Sequence, residues 1–275
     1  MKPEKYFKDK VVLITGGSMG IGKEMARQLL EMGSKVAITG RNEQRLLAVK
    51  EEFKVYDKQL LVHAGDVSDF EDNVKLVEKI VSSFGHLDVL VNNAGMSAYG
   101  ELSVMSHDVI GQMIDINIKG SLFPTRAAYE EIKKSRGAVL FISSVAGFRG
   151  LPSYALYSLT KMSLTGLYET LRLENKQYGV FTGISYIGFT ENEPEKRALA
   201  HDGQLAPIPQ RGKMVTRSRS QTARILIKQI AGKKPRVIHS FVGKATYILC
   251  KYLPFIARIV YGNIYKNQKK QDAMA

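Results

Sequence analysis

The sequence predicts a doubly wound α/β fold: a parallel sheet covered by helices on both faces, with a helical extension at its C-terminal end. Two observations carry the fold class. Short β-branched apolar runs alternate with amphipathic stretches of helical spacing through most of the 275 residues, with no evident linker. The first of those runs leads directly into a glycine-rich turn and a helix start, where backbone N–H groups and the helix dipole can hold a phosphate. A third observation sets the extension apart: after residue 242 the chain turns basic, apolar and aromatic. The expected division is a nucleotide-binding α/β unit over 1–242 and a basic amphipathic extension over 243–275.

Each element has its own justification. Val11-Val12-Leu13-Ile14 reads as a buried parallel strand. The turn Thr15-Gly16-Gly17-Ser18-Met19-Gly20-Ile21-Gly22 follows, then a helix with Met25, Ala26, Leu29 and Leu30 at helical spacing, stopping at Gly33. The glycines at 16, 20 and 22 depart from the common G-x-G-x-x-G spacing of dinucleotide sites. Residues 35–39 make the second strand. At its end a dinucleotide fold places an acid for the ribose of NAD, or an arginine for the 2′-phosphate of NADP. This chain has Gly40 and then Arg41, which favours NADP(H) over a merely solvated arginine. A charged helix is expected over 42–53 and a third strand over 60–64. Asp66, in Gly65-Asp66-Val67, has two readings: an acceptor for an adenine amino group, or the cap of a helix starting near Asp69. A helix over 70–84 and a strand over 89–91 lead into Asn92-Asn93-Ala94-Gly95. The next helices and strands end with a sixth strand near Val180–Tyr186, a helix over 220–231 and a last strand near Pro235–Ser240.

Composition narrows the function classes. Lys and Arg number 40 against 26 Asp and Glu, a formal charge of +14. Residues 203–275 hold 15 of the bases and a single acid, Asp272, so residues 1–202 are neutral and the whole excess lies in the last quarter. Such a block suits an anionic partner. Nucleic acid is not expected, because no helix-turn-helix, RNA-binding or zinc signature accompanies the charge. No metal-ligand cluster is evident. The single cysteine, Cys250, excludes an internal disulfide and fits a reducing compartment. The first ten residues lack a signal-like apolar run, and no uninterrupted run of 18 apolar residues occurs. A cytoplasmic setting is expected, with membrane association through the tail as its extension.

The chemistry centres on Tyr157-Ser158-Leu159-Thr160-Lys161. Tyrosine and lysine four apart share one face of a helix. A phenol has a pKa of about 10 and works poorly near neutrality. An ammonium beside it favours the phenolate. Alone, the pair is a common surface motif.

With Thr15-Gly-x-x-x-Gly-x-Gly22, Asn92-Asn-Ala-Gly95, and Ser144 thirteen residues before Tyr157, the chain resembles the short-chain dehydrogenase/reductase family over roughly residues 9–240. The resemblance implies a Rossmann-type fold. It assigns the diphosphate to the turn carrying Gly16, Ser18, Met19, Gly20, Ile21 and Gly22, and the adenine to Asp66 and Val67. It places Asn93, Ala94 and Gly95 along the cofactor cleft. It makes Asn117, Ser144, Tyr157 and Lys161 the catalytic set. Tyr157 is then the acid in reduction and the base in oxidation, and Ser144 donates to the same substrate oxygen. Lys161 tunes the phenol and holds the nicotinamide ribose, and Asn117 holds a water that links Lys161 to solvent. Ser143 and Tyr154 are the neighbours that do not fit the spacing. The family's usual Pro-Gly after the sixth strand is here Ile187-Gly188, then Phe189-Thr190, so the cofactor contacts of Gly188 and Thr190 follow from the resemblance with a changed loop. Residues 191–215, with Pro194, Pro207 and Pro209, are expected to be an irregular substrate lid, and His201 within it a solvated side chain. The family also implies a dimer or tetramer.

In the tail, Lys244, Lys251 and Arg258 recur every seven residues among aromatic and aliphatic side chains, which on one helix makes a cationic stripe. Pro254 should kink or divide that helix. Two readings stand: a monotopic anchor on an anionic membrane, or helices packed on the core or on a second subunit. The function expected is an NADP(H)-dependent oxidoreductase interconverting a carbonyl and a secondary alcohol, on an apolar or lipid-like small molecule. The competing readings are a non-catalytic nucleotide-binding scaffold and a peripheral membrane protein that keeps the fold.

Overall fold

The structure, a computed structural model, describes residues 1–191, 193, 197–207 and 216–272, with side chains as far as 267. Seven strands form one sheet: β1 (Val11–Thr15), β2 (Lys35–Gly40), β3 (Leu60–Ala64), β4 (Val89–Asn92), β5 (Ala138–Ser144), β6 (Phe181–Ile187) and, after an inserted hairpin of β7 (Arg197–Leu199) and β8 (Leu205–Pro207), β9 (Arg236–Ile238). The order is β3-β2-β1-β4-β5-β6-β9, every pair parallel. The predicted doubly wound fold is therefore observed, with its strand order reversing between β1 and β4.

The helices are α1 (Pro3–Phe7), α2 (Gly20–Glu31), α3 (Glu43–Glu52), α4 (Phe70–Phe84), α5 (His107–Ile114), α6 (Gly120–Lys134), α7 (Ala155–Glu174), α8 (Arg219–Ala231), α9 (Phe241–Tyr252) and α10 (Pro254–Asp272). Strand alternation decides which helix covers which face. Val12 and Ile14 point to one side, where Met25, Ala26 and Leu29 of α2 and Leu226, Ile227 and Ile230 of α8 meet them. Val11 and Leu13 point to the other, against Leu76 and Ile80 of α4, Ile132 of α6 and Leu164 of α7. Each fully buried Val, Ile, Leu or Met among them stabilises the fold by roughly 1.5–3 kcal/mol.

Local chemistry sets the helix starts. Asn42, Asp69, Ser106, Ser218 and Ser240 each accept a backbone N–H from the first turn of the helix that follows. The cap of α4 is Asp69; Asp66 instead accepts from the N–H and hydroxyl of Ser68 at 2.8 and 2.7 Å. The capping reading of Asp66 is thus corrected, because a two-residue turn satisfies its carboxylate.

Two further expectations are revised. The 191–215 stretch is not irregular throughout, since β7 and β8 pair antiparallel across it; Pro194 and Pro209 lie outside the described residues. The cations of the tail do not form one continuous stripe, because the chain breaks at Leu253 (φ −129°, ψ 54°) before Pro254 opens α10. Lys244 and Lys251 lie on α9 and Arg258 on α10. The division of the tail at Pro254 is as the sequence indicates. No helix among the described residues is long and apolar enough to cross a membrane.

Candidate active site

Open parallel sheets bind ligands beyond the carboxyl ends of their strands, where strand order reverses. Here that crevice lies past β1 and β4. The turn after β1 is shaped by close approach. A Cβ on Gly16, at φ +63°, would lie 2.9 Å from the Ala94 backbone, and one on Gly22 would lie 2.5 Å from both Asn93 Nδ2 and Gly16 O. Asn93 Nδ2 donates to Thr15 O and Gly16 O, both at 2.9 Å. Thr15 Oγ accepts the N–H groups of Asn93 and Ala94 at 3.0 Å. The loops after β1 and β4 are therefore clasped to each other, and the chain's own contacts fix the path of the glycine turn.

The rest of the glycine turn is distributed by its surroundings. Ile21 packs on the core beneath the turn. Ser18 abuts Gly40 at the end of β2, its Oγ 3.2 Å from where a Cβ of Gly40 would stand. Arg41 is exposed one residue further on. Arg45, one helical turn beyond it, reaches Met19 Sδ at 3.7 Å. Val67 is buried beneath Gly120, whose Cβ would clash with its methyl at 2.6 Å. Asp66 and Val67 thus sit at the end of β3, on the same edge as the turn.

The helix start in the turn has a partner that no sequence pattern announces. Glu193 accepts the N–H of Gly20 at 2.8 Å, across 173 residues of chain. Its carboxylate is also paired with Arg219 at the start of α8. A protein carboxylate thus rests on the N-terminus of α2, the position a phosphate would take.

Tyr157 and Lys161 stand one turn apart on α7, with Lys161 Nζ 5.9 Å from the centre of the phenol ring. Lys161 is 7% exposed. Its Nζ donates to Ile142 O at 3.1 Å, and its own carbonyl accepts from Ser143 Oγ at 2.9 Å. β5 therefore grips this lysine at both ends. Ser143 is buried and committed to that bond, whereas Ser144, at the last position of β5, contacts the N–H of Ala146 at 3.3 Å. Tyr154 is also committed elsewhere, packed against Tyr99 at 5.6 Å.

Asn117 lies in a π-helical turn between α5 and α6, covering Asp115–Lys119. Such turns often mark functional positions. Its Oδ1 accepts from Met96 N at 2.7 Å, and its Nδ2 donates to Met96 O at 2.9 Å and Thr160 Oγ at 3.0 Å. Gly95 passes between Asn117 and Lys161: a Cβ there would lie 3.2 Å from Asn117 Oδ1 and 3.3 Å from Lys161 Nζ. Asn117, Gly95, Lys161, Tyr157 and the end of β5 are thus brought together. Gly188 lies against Ser240, and Thr190 Oγ is 3.2 Å from Thr222 Oγ, with Thr190 paired to Arg217. This loop leans on α8 and on the start of α9.

An apolar cluster flanks the tyrosine: Met105, Val109, Met113 and Leu156, closed by Leu199 of the hairpin, with Met96 and Tyr157 packed against it. His201 is exposed. Sequence reasoning missed Glu193 and Arg219 altogether, and it named Thr15 in the glycine motif without the bonds it makes. Only Thr15 left a signal, as the last residue of a strand entering the glycine turn.

The sequence model for short chain dehydrogenases matches residues 10–201. The chain is 37% identical to an uncharacterised oxidoreductase of Thermotoga maritima, over 68% of this chain and 74% of that protein. It is 35% identical to 3-ketodihydrosphingosine reductase of Bos taurus over 73% of this chain, but it matches only 61% of the bovine protein's length. The solved structure of ElxO with NADP bound superposes with a TM-score of 0.71 at 28% identity, over 84% of this chain and 96% of that one. The clasped glycine turn, the sheet order and the matched 192 residues lead to one conclusion: the chain belongs to the short-chain dehydrogenase family.

Proposed function

We propose that the protein is an NADP(H)-dependent oxidoreductase that interconverts a carbonyl and a secondary alcohol on an apolar substrate. The supporting observation is that β5, ending in Ser144, holds Lys161 of α7 one turn from Tyr157, while Gly95 lies between Lys161 and Asn117 in the loop clasped to the glycine turn. The residues fit a dinucleotide: Gly16 and Gly22 let the turn close on the loop after β4, Gly20 borders open space, and Arg41 is an exposed cation just past β2 that would read the 2′-phosphate. Ser18, Met19 and Ile21 shape the same turn, Asp66 and Val67 would meet the adenine, and Asn93, Ala94 and Gly95 would line the floor. Gly188 and Thr190 would stand near the carboxamide. NADP(H), when bound, supplies or accepts the hydride.

The chain supplies the proton chemistry. In reduction Tyr157 gives its phenolic proton to the developing alkoxide, and in oxidation it takes that proton back. Ser144 Oγ donates a hydrogen bond to the same oxygen, which stabilises charge that exists chiefly in the transition state. Lys161 favours the phenolate by proximity and would hold the nicotinamide ribose. Asn117 positions the loop carrying Met96 and Gly95 and would complete a proton path from Lys161. The cluster of Met105, Val109, Met113, Leu156 and Leu199 supports an apolar substrate, and the bovine relative, named for a keto-sphingoid base, agrees.

The test is NADPH consumption with long-chain and cyclic apolar ketones set against short polar ones. Turnover confined to, or fastest with, the apolar set is expected. Tight NADPH binding with no turnover on any carbonyl would favour the scaffold reading instead.

A further inference from the structure

The C-terminal helices carry an unusual surface. Among the described residues, 24 large apolar side chains are exposed, and 11 of them fall within residues 241–265. Concentrated exposure of this kind marks an interaction surface rather than ordinary scatter. Helical geometry sorts it. On α10, Ala257, Tyr261 and Tyr265 are four apart and face the protein body. Ala257 is fully buried, the Tyr261 ring lies 4.9 Å from the Arg149 guanidinium, and Tyr265 Oη donates to Glu101 at 3.3 Å. The opposite side of the first two turns presents Phe255 (81% exposed), Ile256 and Ile259. On α9, Phe241 (86% exposed), Ile248 and Tyr252 share one outward face. Lys244 and Lys251, both exposed, flank it.

The location gives this surface meaning. Gly243 of α9 packs against Val145, the residue after Ser144, where a Cβ would lie 3.1 Å from its methyl. Phe148 packs at a tilt against Tyr247, ring centres 5.0 Å apart. The tail is thus fastened to the segments that leave β4 and β5, the same strand ends that carry the candidate active site. Exposed Leu102 and Val104 follow Glu101 on that rim.

We propose that the outer faces of α9 and the first half of α10 dock on an anionic membrane surface, at the rim of the substrate cleft. The charge identifies the occupant. From Gly203 to Gln271 the chain contains no acid at all. A second copy presenting the same face would therefore bring cations against cations, whereas phosphatidylserine-type headgroups complement them while the acyl region takes up Phe241, Phe255 and Ile259. The exposed cations border the apolar faces as on an interfacial helix, and no helix among the described residues is long and apolar enough to span a membrane. An apolar substrate would then reach the cleft along the lipid surface, a consequence that rests on the reductase reading; the docking itself does not.

The test is co-flotation of the full chain with vesicles of phosphatidylcholine alone and of phosphatidylcholine mixed with phosphatidylserine, at low and high salt. Binding to the mixed vesicles only, weakened by salt, is expected. The double variant Lys244→Glu/Lys251→Glu and the variant Phe255→Asp should each lose at least about tenfold in vesicle affinity, the first by reversing two charges beside anionic lipid and the second by putting a carboxylate where an apolar ring would insert. All three substituted side chains are exposed, so NADPH binding should be retained and serves as the folding control. Tyr157→Phe should float like the wild type. No flotation at low salt, or equal flotation of wild type and both variants, would overturn the proposal. So would a dimer that Phe255→Asp dissociates without any vesicle binding. A wild type that does not float but turns over with NADPH removes the membrane proposal alone, and a wild type that floats without turnover removes the reductase reading alone.

Discussion

The carboxylate of Glu193 sits on the backbone N–H of Gly20, 2.8 Å away, with Arg219 at its back. The contact satisfies a donor at the start of α2 that would otherwise be unpaired. It also means that a diphosphate has to displace a like charge before it can use that donor. Glu193→Ala should tighten NADPH binding about three- to tenfold, the scale of one hydrogen bond to a charged group after partial solvent screening. A fluorescence titration measures it. Unchanged or weaker binding would show that Glu193 does not compete.

Tyr157→Phe removes one oxygen and little else. The ring can keep its place against Met96 and the apolar cluster. Turnover should fall about 100- to 10,000-fold, the usual range for losing a general acid. The dissociation constant for NADPH should stay within a factor of about three. Near-normal turnover would sink the assignment of the proton donor.

Arg41 is exposed at the end of β2, with no acid between Thr39 and Asn42. Charge-assisted hydrogen bonds contribute about 1.5–3 kcal/mol. Arg41→Ala should therefore weaken NADPH binding roughly 10- to 100-fold and leave NADH nearly unchanged. Equal losses for the two cofactors would mean that Arg41 does not read the 2′-phosphate.

His239 joins β9 to β6, with Nε2 2.6 Å from Ser185 Oγ. Burial, aided by Arg217, lowers its pKa to about 4. The unfolded chain, with a histidine pKa of about 6.5, binds the proton more readily. The neutral ring's contribution is thus complete above about pH 6.5 and is lost as pH falls toward 4, by up to about 3 kcal/mol. Urea midpoints of wild type and His239→Gln, measured from pH 7 to 4, should converge as the pH drops. Parallel curves would show that His239 does not titrate with unfolding.

Sequence reading succeeded where chemistry is local. The β1 strand, the glycine turn and α2 announce themselves within twenty residues, because steric need and hydrophobic period coincide there. Pro254 divided the tail as its ring requires. The hairpin of β7 and β8 was missed because Arg197-Ala-Leu and Leu205-Ala-Pro are too short and too poor in β-branched residues to signal strands. Asp69 rather than Asp66 caps α4, a choice between two acids three residues apart that only the turn geometry settles. Glu193 was out of reach for a different reason: its partner is 173 residues away and offers only a backbone N–H. The double grip on Lys161 from Ile142 and Ser143 is likewise a product of β5 meeting α7, invisible in either segment alone.

The pairing of α2 with α8 carries a further consequence. Leu29 and Met25 are covered by Leu226 and Ile227, and Gln28 Nε2 bonds Ser220 O at 3.1 Å, almost two hundred residues later. During synthesis the first helix emerges long before the second. The part of that face, and of α2 itself, that α8 covers stays exposed until the last quarter of the chain has left the ribosome. Contacts of such separation slow folding and expose the intermediate to aggregation, so the interval between making α2 and making α8 is when this chain is most open to it.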